Sequence, residues 1–305
     1  MEALSRNFFL YLSKNKSLNK MAKRYGLKFG ASKVVGGIDF DCAVPVIKKL
    51  NEKGLCTTVD HLGEFVKSMD ETRERTLQEI HTIQTIAREK LDSQVSVKLT
   101  SLGLDIDYNL VFENMRTILN EAQEHGIFVT IDMEDESRCQ ATLDIFKGLK
   151  AEFSNVGTVI QSYLYRSLDD INDLKELSPN LRLVKGAYKE STEVAYQEKK
   201  DVDENLKKMI KNHLLNGNYT AIASHDDQMI NFTKQFAKEN NISRDLFEFQ
   251  MLYGMRTQTQ LDLVNQGYKM RVYVPYGNDW YGYFMRRLAE RPANVAFVLK
   301  GIFKS

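Results

Sequence analysis

Short apolar runs of strand length alternate with charged stretches of helical period along most of this chain. Residues 2–25 predict a basic amphipathic helix. A loop containing Gly26, Gly30, Gly36 and Gly37 follows, and Phe40–Lys53 predicts a second helix. Strand candidates then recur at Leu55–Val59, Gln94–Thr100, Phe128–Glu134, Gly157–Leu164, Leu181–Ala187, Thr220–His225, Phe247–Leu252 and Lys269–Tyr276. Helix-period segments lie between them, among them Glu71–Lys90, Asn109–His125, Arg138–Phe153, Thr192–Asn216 and Asp226–Asn240. Strands that alternate with helices imply βαβ units and a parallel sheet. This many units in one chain predict an α/β fold, a (β/α)8 barrel of TIM type. Residues 1–53 would form an N-terminal helical arm and residues 54–305 the catalytic barrel. A doubly wound open sheet is the alternative. No Gly-x-Gly-x-x-Gly follows a strand, and Walker-type and His-Glu-x-x-His motifs are absent.

In such a barrel, catalytic groups gather at the C-terminal ends of the strands. The run QVSVKLT alternates Val95, Val97 and Leu99 with Ser96, Lys98 and Thr100, which turns Lys98 towards the interior. A buried lysine is costly unless paired. Asp132, which shares a face with Thr130 and Glu134 in TIDMED, is the expected partner. Gln161 and Tyr163 share a face of the next strand. LRLVKGAY carries Arg182 and Lys185, then Gly186, where the missing Cβ permits a close ligand approach. Ser224, His225 and Asp226 are contiguous, so one strand cannot fold them into a hydrolytic triad. Asp226 or Asp227 is instead expected to cap the following helix.

The stretch Lys269 to Val298 is the most distinctive. An alternating strand, with Arg271, Tyr273 and Pro275 on one side and Val272 and Val274 on the other, meets a Gly-Asn-Asp turn. A helix then carries Arg286, Arg287 and Glu290. Two adjacent guanidinium groups at a strand-to-helix junction make a bidentate clamp for a carboxylate or phosphate. Tyr273, Tyr276, Trp280, Tyr281, Tyr283 and Phe284 surround it in sequence. The plain alternative is a surface helix with an Arg286–Glu290 pair at i,i+4. Cations from several strands, few acids and many tyrosines suit a flat anionic ligand plus a small carboxylate. They do not suit two-metal chemistry, which needs clustered carboxylates and histidines, so no metal ligands are assigned.

Composition narrows the class. Of 305 residues, 42 are basic and 41 acidic, a net charge of +1 that leaves no nucleic-acid footprint. The three cysteines, Cys42, Cys56 and Cys139, lie far apart without Cys-x-x-Cys spacing, which points to a reducing compartment. No apolar run reaches the about 18 residues of a membrane span. A cytoplasmic protein is expected, with Phe8, Phe9 and Leu12 as the residues for any peripheral contact at the inner face of the membrane.

At these motifs the chain resembles the proline dehydrogenase family, in its compact monofunctional bacterial form, over roughly residues 40 to 300. RVYVPYGNDWYGYFMRRLAERPANV and LRLVKGAY carry most of the resemblance, supported by VDHLGE, VSVKLT, TIDMED, ASHD and FEFQMLYGMR. The resemblance implies a flavoenzyme that oxidises L-proline to Δ1-pyrroline-5-carboxylate, by hydride transfer from ring C5 to FAD N5, and passes electrons to a membrane quinone. By motif, Arg286 and Arg287 would clamp the proline carboxylate, Lys98 would line the pocket and Tyr273 would pack over the ring. Arg182 would sit near flavin N5, with Asp132 as the acidic partner. Met133, Gln161, Lys185, Gly186, Ala187, Ser224 and His225 would hold FAD. Glu64 of VDHLGE would pair with Arg286 as a gate, with Glu290 competing for that arginine. A separate pyrroline-5-carboxylate dehydrogenase would take the product, since one barrel and its arm account for the chain length. The flavin follows from resemblance alone.

Three other readings are open at this level. One is a hydroxyproline or other cyclic imino acid dehydrogenase, with Tyr281 as a candidate neighbour of the ring. Another is a barrel lyase using Lys98 or Lys185 as a Schiff-base amine. A third is a non-catalytic binding protein on a barrel scaffold.

Overall fold

The computed structural model describes residues 31–290, with side chains through Met285. The helix expected over residues 2–25 lies outside the described residues. Eight strands are present: β1 (Cys56–His61), β2 (Ser93–Val97), β3 (Val129–Ile131), β4 (Val156–Gln161), β5 (Leu181–Val184), β6 (Thr220–Ala223), β7 (Phe247–Leu252) and β8 (Met270–Tyr276). They pair in sequence order, all parallel, and β8 closes on β1 to complete a barrel. The open sheet is thereby excluded. The helices are α1 (Phe40–Asn51), α2 (Met69–Arg88), α3 (Tyr108–Glu124), α4 (Glu136–Glu152), α5 (Ser167–Leu174), α6 (Lys199–Leu215), α7 (Asp227–Glu239), α8 (Thr257–Asn265) and α9 (Trp280–Glu290).

Local chemistry sets the helix starts. Asp39, Ser68, Asp107 and Asp226 sit just before α1, α2, α3 and α7 with extended backbone, and each side chain accepts a first-turn N–H. This satisfies donors that have no partner within the helix. Asp226 therefore caps, as expected. Apolar strand residues such as Val59, Val97, Ile131, Ile160, Leu183, Phe249 and Val272 pack with the helices in one continuous core. α1 belongs to that core through Phe40, Ala43, Ile47 and Leu50, and the Phe40 ring meets Tyr276 at 5.1 Å. It thus closes on the barrel wall at β1 and β8.

Most strands are shorter than the sequence suggests at their C-terminal ends. β2 stops at Val97, and Lys98 begins a single 3-10 turn (Leu99–Ser101). α6 also starts later than the helical period suggests, at Lys199 rather than Thr192. The intervening segment is bound to the loop after β4 instead: Tyr165 N–H donates to Val194 and Tyr196 N–H to Tyr163. These tertiary bonds outcompete a local helical turn.

The opposite side of each strand faces the lumen, where most of the buried polar strand residues lie beside a few apolar ones such as Val159 and Ala221. At the N-terminal end of the barrel, Arg271, only 2% exposed, donates to Glu248 at 2.7 and 3.1 Å and to the Thr57 carbonyl at 2.7 Å. Tyr219 and Gln250 donate to the same carboxylate. Burial raises the Glu248 pKa, but the Arg271 charge outweighs it and holds the carboxyl at about 2. This pair plugs the base, leaving the far end of the barrel for chemistry.

Candidate active site

Residues of β1, β2, β3, β5 and β8 converge in the upper lumen. Strand register sets Thr58 beside Tyr273 and Asp60 beside Ser96, so these positions share the interior face. Asp132 is the hub. Arg182 Nη1 donates to its Oδ1 at 2.5 Å, Ser96 Oγ donates to the same oxygen at 3.1 Å, and the Tyr273 hydroxyl donates to Oδ2 at 2.7 Å. Lys98 Nζ reaches Oδ2 at 3.5 Å. Burial raises the Asp132 pKa, yet the Arg182 and Lys98 charges and the hydrogen bonds together keep it below the usual carboxylate range. Arg182 also donates to Ser96 at 2.9 Å, and its guanidinium lies 5.3 Å from the centre of the Tyr273 ring.

The expected Lys98–Asp132 contact exists, but it is the longer of two. Lys98 donates to Asp60 Oδ1 at 2.7 Å. Asp60, 3% exposed, lies in VDHLGE and was not singled out by sequence. Its interior parity on β1 was the available signal. Burial pulls the Lys98 pKa down, but Asp60, Tyr273 and Asp132 outweigh this and raise it well above its ordinary value. The ion pair with Asp60 favours the charged form of Lys98, which counts against a Schiff-base role for it. Lys185 lies elsewhere, paired with Asp203 at 2.5 Å and Asp226 at 2.8 Å.

The rim divides into two halves. Met133, Gln161, Lys185, Gly186, Ala187, Ser224 and His225 end or follow β3 to β6, whereas Asp60 and Tyr273 lie on β1 and β8 and Lys98 directly follows β2. Arg182 stands at the junction. Gln161 donates to the Glu134 carbonyl at 2.8 Å, and His225 Nε2 accepts from Leu252 N–H at 3.0 Å. Gly186 has φ +116°, and a Cβ there would lie 2.1 Å from the Tyr163 ring, so no other residue fits. Asp226 N–H donates to Ser224 Oγ at 3.1 Å.

The aromatic setting is redistributed. Of the six rings expected around the clamp, Tyr273 faces the charged cluster. Trp280, Tyr281, Tyr283 and Phe284 form a second small core with Ala31, Val35, Leu62 and Met285. Tyr276 points to the helices, stacked on His61 at 4.9 Å and bonded to Thr82 at 2.7 Å. α9 runs through Arg286, Arg287 and Glu290, whose side chains lie outside the described ones, as does the Glu64–Arg286 pairing.

Two further buried acids lie near this end: Glu134, on the face it shares with Asp132, and Glu79, which the sequence does not single out. Glu134 accepts from Thr100 N–H at 3.0 Å and from Thr100 Oγ at 2.5 Å, and burial lifts it to about 7. Glu79 on α2, 4% exposed, is lifted to about 8 by burial and by the nearby Asp60 charge. Helical period places Glu79 on the inner face of α2, but nothing local distinguishes it from its solvated neighbours.

Comparisons with known proteins bear on this site. The family model described as proline dehydrogenase matches residues 43–300. The chain is 63% identical to proline dehydrogenase 2 of Bacillus subtilis over 99% of both chains. It is 44% identical to the proline dehydrogenase of Deinococcus radiodurans over 90% of both. Among solved structures, proline utilization A from Bdellovibrio bacteriovorus, inactivated by N-propargylglycine, matches with a TM-score of 0.81 and 30% identity over 85% of this chain. The match spans about a third (32%) of that longer protein.

Proposed function

The chain belongs to the proline dehydrogenase family, and we propose that it oxidises L-proline to Δ1-pyrroline-5-carboxylate with FAD as cofactor and a membrane quinone as final acceptor. The observation that carries this reading is Arg182. Its guanidinium is buried, held by Asp132 and Ser96, and its Nε has no hydrogen-bond partner among the described residues. An orphaned buried donor is costly unless a ligand accepts from it. The family's cofactor offers ring nitrogens and oxygens for that purpose, so the residues fit the group.

FAD, when bound, supplies the hydride acceptor. In this reading Met133, Gln161, Lys185, Gly186, Ala187, Ser224 and His225 grip it along β3 to β6; the missing Cβ of Gly186 makes room for the Tyr163 ring rather than for the ligand expected from sequence. Arg182 presents a fixed positive charge where negative charge develops, already oriented by Asp132. Proline lies on the β8–β2 side, its carboxylate on Arg286 and Arg287, its ring under Tyr273 and beside Lys98. Glu64 gates the mouth through Arg286, with Glu290 the rival partner. A neutral amine is required before hydride can leave, and the nearby lysine and arginines disfavour the ammonium form. The product passes to a separate pyrroline-5-carboxylate dehydrogenase. Among the described residues no helix is long and apolar enough to cross a membrane. Contact with the quinone therefore calls for peripheral association of a cytoplasmic protein.

The test is an absorbance spectrum of the purified protein before and after anaerobic L-proline. Oxidised-flavin bands that bleach on adding proline are expected. A protein that FAD cannot turn yellow would overturn the cofactor, and a flavin left oxidised by proline would overturn the substrate. Comparative turnover of 4-hydroxyproline and pipecolate decides the ring specificity.

A further inference from the structure

Amine oxidation by hydride loss leaves one proton to be placed. L-proline arrives with a protonated secondary nitrogen, and that proton must go before the lone pair can assist. The groups lining the upper lumen differ sharply in their capacity to take it.

Arg182 stays protonated under all ordinary conditions. Tyr273 already donates its hydroxyl proton to Asp132. Asp132 collects four donors, from Arg182, Ser96, Tyr273 and Lys98, which occupy the lone pairs of both oxygens. A carboxylate so fully solvated by protein is a poor base. Asp60 is its opposite: equally buried, but with the 2.7 Å bond from Lys98 as its close contact. Lys98 stands between the two carboxylates, nearer to Asp60. A lysine hydrogen-bonded to a carboxylate at that distance can hand it a proton, and the lone pair so freed takes another proton in its place.

We propose that Asp60 receives the proton lost by the proline nitrogen, with Lys98 as the relay. This rests on the substrate reading above. In the step, the Nζ–H bond directed at Asp60 breaks first and an O–H bond forms on Oδ1, which frees the Nζ lone pair. The N–H bond of prolinium then breaks and a new Nζ–H bond forms on that lone pair. Lys98 ends as it began, Asp60 becomes a neutral acid, and proline becomes a neutral amine whose electrons have not moved. After turnover Asp60 returns the proton to water.

The surroundings favour this acceptor. Burial and the Asp132 charge raise the Asp60 pKa, against the pull of the Lys98 charge and its hydrogen bond. The titratable groups that feel it are Lys98 just after β2, Asp132 just after β3, Tyr273 and Tyr276 on β8 and Glu79 on α2. Arg182 on β5 acts through Asp132. Asp60 therefore binds a proton more readily than Asp132, which the same cations hold ionised.

The test is the rate of anaerobic flavin bleaching by L-proline across pH, for the FAD-loaded wild type, Asp60→Asn and Asp60→Glu. In the wild type the rate should fall on the acid side as Asp60 becomes protonated beforehand. Asp60→Asn should slow bleaching about a hundredfold at neutral pH, the usual size of a lost general base. Its rate should then rise continuously with pH as free neutral proline becomes available. Asp60→Glu, which keeps a carboxylate, should restore an acid limb. A wild type without that limb overturns the proposal even if Asp60→Asn fails to fold. So does an Asp60→Asn rate lowered by one constant factor at every pH, the mark of a merely structural role. A wild-type flavin that proline does not bleach sinks the substrate reading instead.

Discussion

Arg75 on α2 pairs with Asp279, 3.3 Å away across the mouth of the barrel. The same guanidinium contacts the His61 ring at 3.1 Å and the Leu62 carbonyl at 3.4 Å. It fills the space at Gly63, where a Cβ would fall 2.3 Å from Nη2. One side chain thereby joins the loop after β1, which carries Glu64, to the turn that launches α9.

Loss of this tie should loosen both loops around the substrate more than it disturbs the chemistry. Arg75→Met is expected to raise KM for L-proline several-fold with a smaller change in kcat. The stability loss should be about 1 kcal/mol or less, because the pair is partly exposed. Steady-state kinetics and thermal unfolding check both. An unchanged KM would deny the tie any part in substrate capture.

Asp132→Asn removes the charge on which Arg182, Lys98 and Tyr273 converge. It should slow flavin bleaching by about two orders of magnitude, since a misdirected preorganised donor costs that much. Breaking a buried pair from one side should also cost about 3 kcal/mol of stability. Single-turnover kinetics and denaturant unfolding measure the two losses separately. Near-normal bleaching would show that Arg182 keeps its orientation without Asp132.

Glu79 makes stability fall as pH rises. Its folded pKa, about 8, lies above the unfolded value near 4.5, so the folded protein holds a proton that the unfolded chain releases. This contribution is complete below about pH 4.5 and is lost progressively as pH rises to about 8. Glu79→Gln should flatten the decline and make the variant the more stable form in mild alkali, by up to about 4 kcal/mol. Thermal unfolding at several pH values is the check. Parallel curves would mean that Glu79 ionises freely in the folded protein.

Glu248 acts in the opposite sense. Its folded pKa of about 2 lies below the unfolded value, so its stabilising effect is present above about pH 4.5 and is lost as pH falls towards 2. Glu248→Gln should weaken the protein at neutral pH by about 3 kcal/mol, because Arg271 is left buried without its counter-charge. It should also remove part of the acid sensitivity. Proline KM should hardly move, since the pair lies at the end of the barrel away from Lys98 and Arg182.

Much of the site was legible because a strand shows its two faces in sequence. Alternation in QVSVKLT sent Lys98 inward, and the same count put Asp132 and Tyr273 there. Asp60 obeys the same rule, but β1 runs on to His61, past the apolar run Leu55–Val59 that marks it in sequence. Parity and distant packing also settle where the described rings near α9 point. Tyr276 is one residue past Pro275 and so faces the helices, while Trp280, Tyr281, Tyr283 and Phe284 bury against Leu62 and Val35, which are distant in sequence.

The sequence by itself determined the barrel, the order of its strands and the inward direction of its chemical residues. Those features depend on periods of two and 3.6 residues and on local caps, all written within short windows. Only the tertiary structure decided which charges meet. Lys98 chooses Asp60 over Asp132, Arg182 Nε has no partner among the described residues, and burial lifts the Glu79 pKa to about 8. Each outcome depends on the angle at which neighbouring strands and helices pack and on how much water the closed barrel excludes. Distance and desolvation between residues far apart in the chain set these energies, and no local window contains them.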